Sequence, residues 1–204
     1  MTTTSTGRES DRRAIRHERK KAAIVAAAWE LARTEGVGGL SLRELAARVD
    51  LRQPSLYSYF GSKNDLFDAM FAEGNRQLLE RLRGLSLNND AIQAIKTISK
   101  ALLTFFTEDP TRYQLMNQRT IPGFVPSKEA YAVAEKVFAW LLERLRAAGV
   151  TRRDHVDLYV ALMAGLAEAQ LANEPRGRRW VRHADVAVDM LVGEIRRQGG
   201  ESDD

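Results

Sequence analysis

The segment from residue 41 to residue 63 concentrates side chains whose chemistry suits a DNA duplex. Glutamine can pair with adenine, arginine can pair with guanine, and a proline ring can contact a thymine methyl group. We therefore predict that base edges are contacted by Arg43, Arg52, Gln53, Pro54 and Ser55. Hydroxyl and ammonium groups suit phosphate oxygens, which position a protein on DNA without reading its sequence. We predict phosphate contacts from Ser41, Tyr57, Tyr59 and Lys63.

The same segment carries the signals of two short helices joined by a turn. Ser41 with Glu44 is a capping-box pattern that starts a first helix, and Asp50 suits the left-handed backbone of a tight turn. Pro54 fits the first turn of a second helix. Ser62 then caps a further helix, whose first backbone amides would attract a phosphate. The pattern alone leaves open another interpretation, in which this helix pair binds a protein instead of DNA.

Several residue pairs in fixed register resemble the TetR family of bacterial transcriptional regulators. The resemblance covers roughly residues 20–70 and is carried by Leu45-Ala46, Leu56-Tyr57, Tyr59-Phe60, Ser62-Lys63 and Leu66. Two positions depart from it, since members usually have glycine where Asp50 stands and often histidine where Tyr59 stands. Aspartate can adopt the required turn, and a tyrosine hydroxyl can donate to phosphate. The resemblance implies a homodimeric DNA-binding regulator whose second domain binds a small-molecule effector.

Charge is distributed unevenly along the 204 residues. The formal net charge of the chain is +4. Residues 1–63 have a net charge of +5, from twelve Lys and Arg against seven Asp and Glu, and residues 64–204 have a net charge of −1. We predict a flexible basic arm over residues 1–15. Its cations and those at the start of the first helix should meet phosphates or enter a minor groove; they are Arg12, Arg13, Arg16, Arg19, Lys20 and Lys21. Arg16 to Lys21 could continue the first helix onto the DNA backbone, whereas the residues before about Arg12 could instead be a solvated, disordered tail. The chain has no cysteine, no secretory signal and no apolar stretch long enough for a membrane span. We therefore expect a cytoplasmic protein without a membrane partner.

Helical periodicity extends along the whole chain, and no convincing strand pattern occurs. The predicted fold class is all-α, with about nine helices. A three-helix domain that contains the helix-turn-helix should occupy residues 16–63, and its first helix should end at Gly36. A larger domain for regulation and dimerisation should occupy residues 64–198. Residues 199–204 should form a flexible tail.

Two long helices near the end of the chain carry apolar stripes. The first should begin at Thr151, with Asp154 three residues on, and the second should end near Arg197. Paired with their copies, they would form a four-helix bundle and present two reading heads to a pseudo-palindrome in double-stranded DNA. The predicted dimer contacts are Tyr159, Met163, Ala167, Leu171, Val188, Leu191 and Ile195. Both stripes could instead face the chain's own core, although the family resemblance favours the dimer.

Aromatic and methionine side chains accumulate in the middle of the chain, where few charges accompany them. Such a composition suits a largely apolar pocket for a small molecule. The candidate pocket residues are Phe105, Phe106, Tyr113, Met116, Phe124, Tyr131, Phe138, Trp140 and Met163. The same aromatic and methionine content suits an ordinary hydrophobic core equally well, so the sequence leaves both interpretations open.

Enzymatic interpretations find little support in the residue inventory. The three histidines, His17, His155 and His183, are scattered, and no metal-binding, nucleophile or nucleotide-binding motif occurs. We expect neither a cofactor nor a metal. The predicted function is a repressor that a small, largely hydrophobic ligand releases from a palindromic operator. The alternatives are a constitutive DNA-binding regulator without an inducer and a helical protein-interaction module.

Overall fold

The structure, a computed structural model, describes the backbone of residues 5–200 and the side chains of residues 11–198. These residues form nine α-helices and a single 3-10 turn, without strands, which confirms the predicted all-α class. The helices are α1 Ser5–Gly39, α2 Leu42–Arg48, α3 Gln53–Leu56, α4 Lys63–Arg83, α5 Ala91–Glu108, α6 Pro110–Asn117, α7 Lys128–Ala147, α8 Arg153–Asn173 and α9 Ala184–Gly200; the 3-10 turn is Val181–His183. Among the described residues, no helix combines the length and apolar character needed to cross a bilayer.

Two hydrophobic cores share one long helix, α4. The N-terminal half of α4 places Leu66 and Met70 in a small core with α1, α2 and the residues around α3. The C-terminal half places Leu78 and Leu82 in a larger core built by α5 to α9. Helix α4 therefore connects an N-terminal region to a larger helical body. The boundary that we place at residues 63 and 64 stays a prediction, since α4 begins at Lys63 and its first half still packs in the N-terminal core.

Local signals in the sequence start and end most of the N-terminal helices. The Ser41 hydroxyl accepts a hydrogen bond from the Glu44 amide, and the Ser62 hydroxyl accepts one from the Asp65 amide. Asp50 lies at φ 55°, in the left-handed region predicted for the turn. The caps and the turn residue are therefore confirmed.

Three predicted helix ends differ from the structure. We predicted a flexible arm over residues 1–15, but helical backbone begins at Ser5 and includes Gly7; the chain has neither glycine nor proline from residue 8 to residue 35, which favours one continuous helix there. Gly36, at φ 74°, bends α1 where we predicted its end. Helix α8 is preceded by Arg152 at its N-cap instead of Thr151, and the Arg152 guanidinium pairs with Asp154. Residues 1–4 and 201–204, parts of the predicted arm and tail, lie outside the described residues.

Candidate nucleic-acid interface and internal cavity

The short helix α3 presents polar side chains above two buried anchors. Leu56 is only 2% exposed and Phe60 packs into the same N-terminal core, which fixes the helix on its inner side. Gln53, Pro54 and Ser55 are exposed on its outer side. Pro54 lies in the first turn, where its missing amide hydrogen costs no helical hydrogen bond. This small helix is thus a rigid platform that points an amide and a hydroxyl into solvent.

The predicted base-contacting residues are exposed and available for a partner. Among the described residues, the Arg52 guanidinium and the Gln53 side-chain amide have no intramolecular hydrogen bond or ion pair. Arg43 is likewise exposed, on α2. A charged or amide group without a protein partner can exchange its water for a base edge at low cost. The geometry therefore agrees with the chemistry expected of these side chains.

Of the four predicted phosphate-contacting residues, Tyr57 is exposed, whereas the other three already contact another part of the chain. Tyr57 is 46% exposed, whereas the half-buried Ser41 accepts the Glu44 amide as a helix cap and keeps its O–H to donate to a phosphate. Tyr59 is half-buried because its ring stacks on His17, with 4.8 Å between ring centroids. The Lys63 ammonium donates to the Gly38 carbonyl over 3.2 Å, which holds it near the start of α4.

Helix α1 contacts the end of α2 and the residues that follow α3 through Lys20, which the sequence placed in the basic arm, and through His17, which the sequence assigned to no site. Besides the stack of His17 on Tyr59, the Lys20 ammonium donates to the Val49 carbonyl over 2.6 Å. The signal for His17 was present, since it lies seven residues before the buried Ile24 and so on the same face of α1.

A cavity of about 320 Å³ lies in the larger helical body. Five predicted pocket residues line it, namely Phe106, Tyr113, Met116, Phe138 and Met163. The remaining lining residues are Asn75, Leu78, Leu102, Asn117, Ala134, Val137, Leu141, Tyr159, Val160 and Ala164. The lining is thus mostly apolar, with two amides and two phenols as its polar groups.

The other four predicted pocket residues lie elsewhere. Phe105 is buried under the Arg112 guanidinium, at 4.3 Å from its ring centroid, and Trp140 carries the Arg144 guanidinium at 4.0 Å. Phe124 packs edge-on against Phe67 in the N-terminal core. Tyr131 is mostly exposed. Composition located the right part of the chain, but only side-chain direction separates a cavity wall from ordinary packing.

Two buried phenols adjoin the cavity. The Tyr159 hydroxyl and the Ser99 hydroxyl are 2.8 Å apart, and burial raises the pKa of Tyr159 to about 12. Burial also raises the pKa of Tyr113, and the nearby Glu168 carboxylate raises it further. Both phenols are therefore neutral at physiological pH and can donate hydrogen bonds.

The predicted dimer contacts mostly face the chain's own core, so this assignment is wrong for five of them. Tyr159, Met163, Ala167, Val188 and Leu191 are buried within the helical body. The reason is that helical spacing identifies an apolar stripe but not the partner that covers it.

Leu171 and Ile195 are only partly buried against that core. A different set of large apolar side chains on α8 and α9 is exposed, namely Leu158, Val160, Val186 and Met190. These residues were not assigned from the sequence. Their exposure, up to 67% at Met190, leaves an apolar surface on the two helices.

A buried carboxylate joins the N-terminal region to the body. Asp109 is 5% exposed and accepts hydrogen bonds from Arg33 of α1, with Nη2 at 2.8 Å and Nε at 3.0 Å. Its other oxygen accepts the Arg112 amide at the start of α6. Burial alone would raise the pKa of Asp109, but its arginine partners lower it below the ordinary value. Helix α6, which lines the cavity through Tyr113 and Met116, is thereby tied to α1.

Comparison with known proteins places the N-terminal region in a described family. Residues 24–70 match the model of the bacterial regulatory proteins of the tetR family. The HTH-type transcriptional repressor DrrR1 of Streptomyces coeruleorubidus is 29% identical over 165 residues, which are 76% of this chain and 55% of that protein. The HTH-type regulator YobS of Bacillus subtilis is 29% identical over 91 residues, or 45% of this chain and 48% of YobS. This chain thus spans about half the length of these curated relatives.

Solved structures share the fold over almost their full length. The protein SCO4313 aligns with a TM-score of 0.72 at 21% identity, covering 88% of this chain and 98% of that one. A TetR variant from Acinetobacter baumannii AYE, solved in complex with minocycline, aligns with a TM-score of 0.58 at 21% identity, covering 87% and 96%. A bacterial tetR-family regulatory protein from Rhodococcus RHA1 aligns with a TM-score of 0.61 at 21% identity, covering 84% and 96%. At these identities the likeness is one of fold.

Proposed function

We propose that this chain, whose residues 24–70 match the model of the tetR-family bacterial regulatory proteins, is a transcriptional repressor that a small, largely apolar ligand releases from a palindromic operator. The main support for this proposal is the set of exposed polar side chains on the outer face of α3. There the side chains of Arg52 and Gln53 lack intramolecular partners among the described residues, and Ser55 is exposed beside them. The buried Leu56 holds these groups in fixed positions, as direct base readout requires.

The repressor acts as a homodimer. One short helix reads few bases, whereas two heads about one DNA turn apart, roughly 34–36 Å, read a pseudo-palindrome. The exposed apolar side chains Leu158, Val160, Val186 and Met190 provide the surface for pairing with a second copy. This proposal replaces the buried stripe that the sequence suggested.

The effector occupies the cavity among α4 to α8. The lining suggests a mostly hydrophobic molecule that carries one or two polar groups for Asn75, Asn117 or the phenols. A structural neighbour, the TetR variant from Acinetobacter baumannii, binds minocycline, a ligand-bearing precedent for this fold. The identity of the ligand is to be found by screening.

Release proceeds through α6. A ligand that contacts Tyr113 or Met116 displaces this helix, and the displacement reaches α1 through the Asp109–Arg33 pair. A change in the angle of α1 alters the separation of the two reading heads. Ligand binding then penalises simultaneous contact with both half-sites.

The DNA-binding test starts from an operator selected by the wild-type protein from random duplexes. Replacing Gln53 by Ala should cost about 1–3 kcal/mol on the selected operator and relax preference at one base position per half-site. Replacing Lys63 by Gln should weaken binding to all sequences about equally and reduce the salt dependence. A protein-interaction module would select no sequence, and that outcome would reject the proposal.

The effector test is a thermal-shift screen of small molecules followed by operator titration at fixed salt. Compounds that raise Tm should weaken operator binding. Phe138→Trp, which fills part of the cavity, should abolish the Tm shift while leaving operator affinity unchanged. If stabilising compounds left operator affinity unaltered, the protein would instead be a constitutive regulator.

A further inference from the structure

The N-terminal part of α1 separates its charges onto two sides. At about 100° per residue, Arg12, Arg16 and Arg19 fall within about 60° of one another, and Arg13 and Lys20 widen the arc to about 120°. Asp11 and Glu18 lie on the opposite side of the helix by the same geometry. We call the five cations the α1 basic stripe; residues 11–19 are exposed.

The helix holds this stripe in a fixed place beside the recognition element. His17 stacks on Tyr59, and the Lys20 ammonium donates to the carbonyl of Val49 at the end of α2. The Lys21 ammonium lies 5.7 Å from the centre of the Phe60 ring. These three contacts lie within about one turn of α1, between residues 17 and 21, and the helix continues from there toward its N-terminus without a break.

We propose that the α1 basic stripe is a second DNA-binding surface, which contacts backbone phosphates outside the half-site read by α3. The inference depends on the proposed DNA-binding function and extends it. A helix about 10 Å wide cannot enter a minor groove about 6 Å wide, so the partner of the stripe is the phosphate backbone and not the base edges.

The length of the helix sets the reach of the contact. From Lys20 to Arg12 the helix rises about 12 Å, which equals the rise of about four base pairs along the duplex axis at 3.4 Å per phosphate of one strand. The stripe should therefore contact the phosphates of about four base pairs beyond each half-site, and the sequence of these base pairs should not affect affinity. The contact adds affinity and salt dependence but no sequence specificity.

The test compares two triple variants with the same charge change. R12Q/R16Q/R19Q removes three cations from the stripe, and R176Q/R178Q/R182Q removes three exposed cations from the segment between α8 and α9. Glutamine retains helix propensity, and circular dichroism with thermal unfolding verifies the fold of each variant. Binding is measured on the selected operator by fluorescence anisotropy between 50 and 200 mM salt.

The stripe variant should reduce the slope of log affinity against log salt by about 2.7, three times 0.9. The ratio of the wild-type operator affinity to that of the stripe variant should consequently fall about 40-fold between 50 and 200 mM salt. Trimming the outer four base pairs should weaken the wild type and leave the stripe variant unchanged. The variant with substitutions between α8 and α9 should behave like the wild type in both measurements.

Three outcomes are decisive. Equal salt slopes for the stripe variant and the wild type, with Lys63→Gln still weakened, would overturn this inference and leave the proposed function standing. Equal losses in both triple variants would also overturn it, since net charge alone would then explain the effect. Failure of the wild type to select or bind any duplex would reject the proposed function, and the inference with it.

Discussion

The N-terminal region and the larger body place their candidate functional side chains on opposite sides of their cores. In the N-terminal region, Gln53 and Arg52 face solvent while Leu56 fills the core beneath them. In the body, Tyr113 and Met163 are buried and line the cavity. A surface that binds DNA must be exposed, whereas a pocket for a small apolar molecule needs mostly buried walls, and here only the rim at Phe138 and Val160 is open to solvent. The two regions thus combine similar helices with opposite demands on burial.

The two regions also differ in how their polar groups are paired. Near the candidate DNA-reading surface the pairs are local or of intermediate range, such as Ser41 with the amide of Glu44 and Lys20 with the carbonyl of Val49 across 29 positions. In the body they join distant parts of the chain: Ser99 meets Tyr159 across 60 positions, and Arg33 reaches Asp109 across 76. Local pairs define helix ends, whereas distant pairs define how helices sit against one another. The following experiments test these two contrasts, beginning with the largest expected effect.

Truncating Leu56 should lower the free energy of unfolding more than truncating the larger side chain of Phe138 on the cavity rim. Leu56→Ala leaves a hole in a tight core and should lower the free energy of unfolding by about 3 kcal/mol. Phe138 is 45% exposed beside empty space, so Phe138→Ala should cost about 1 kcal/mol. Urea unfolding measures both. A greater loss for Phe138→Ala would show that the cavity wall is a packed core.

Removing the charge of Asp109 should destabilise the connection between the regions by about 2–4 kcal/mol, because two arginines lose their buried partner. The folded pKa of Asp109 is lowered, so its contribution is complete above the ordinary value near 3.9 and is lost as the pH falls through the folded pKa. The difference between wild type and Asp109→Asn should therefore be constant from pH 7 to 5 and shrink below about pH 4.

The exposed carboxylate Glu30 is the matched control, since it pairs with the same Arg33. Glu30→Gln should change the free energy of unfolding by less than about 0.5 kcal/mol. If Glu30→Gln were as destabilising as Asp109→Asn, the buried pair would not be the connection between the regions.

Removing one hydroxyl from the buried pair in the body should cost about 1–2 kcal/mol. Tyr159→Phe leaves the Ser99 hydroxyl buried without its partner. The double variant Ser99→Ala with Tyr159→Phe should lose less than the sum of the two single variants. Thermal unfolding of the wild type, the two single variants and the double variant gives the double-mutant cycle. Strict additivity of the free-energy losses would mean that the two hydroxyls do not interact.

The smallest effect should come from the turn between α2 and α3. Asp50 has φ 55°, and Asp50→Ala should cost about 1 kcal/mol because a plain Cβ is disfavoured there. Asp50→Gly should be nearly neutral, since glycine relieves the strain but has more freedom to lose on folding. Chemical unfolding should rank glycine close to the wild type and above alanine; the reverse order would argue against a strained turn.

Several site features were predictable because their causes are short-range. Ser41 and Ser62 as caps, and Asp50 in the turn, depend on neighbours within a few residues along the chain. The exposure of Gln53 followed once Leu56 and Phe60 were assigned to the core. Here the period of the helix leaves little freedom in where each side chain points.

Other features were not predictable because they depend on contacts between distant segments. The apolar stripe of Val188 and Leu191 was equally compatible with a partner copy and with the chain's own core, and the fold chose the core. Phe105 and Phe106 are adjacent in sequence, yet only Phe106 lines the cavity. Neither the Asp109–Arg33 pair nor the stack of His17 on Tyr59 was assigned from the sequence.

The sequence by itself determined the helical class, the ends of several helices and the outward face of α3, because capping, backbone preference and helical periodicity act over one or two turns. Only the tertiary structure decided which apolar faces cover one another, where a cavity remains between α4 and α8, and which cations lie beside the reading helix. Those outcomes depend on the relative positions of whole helices, which interactions between residues far apart in the chain establish together.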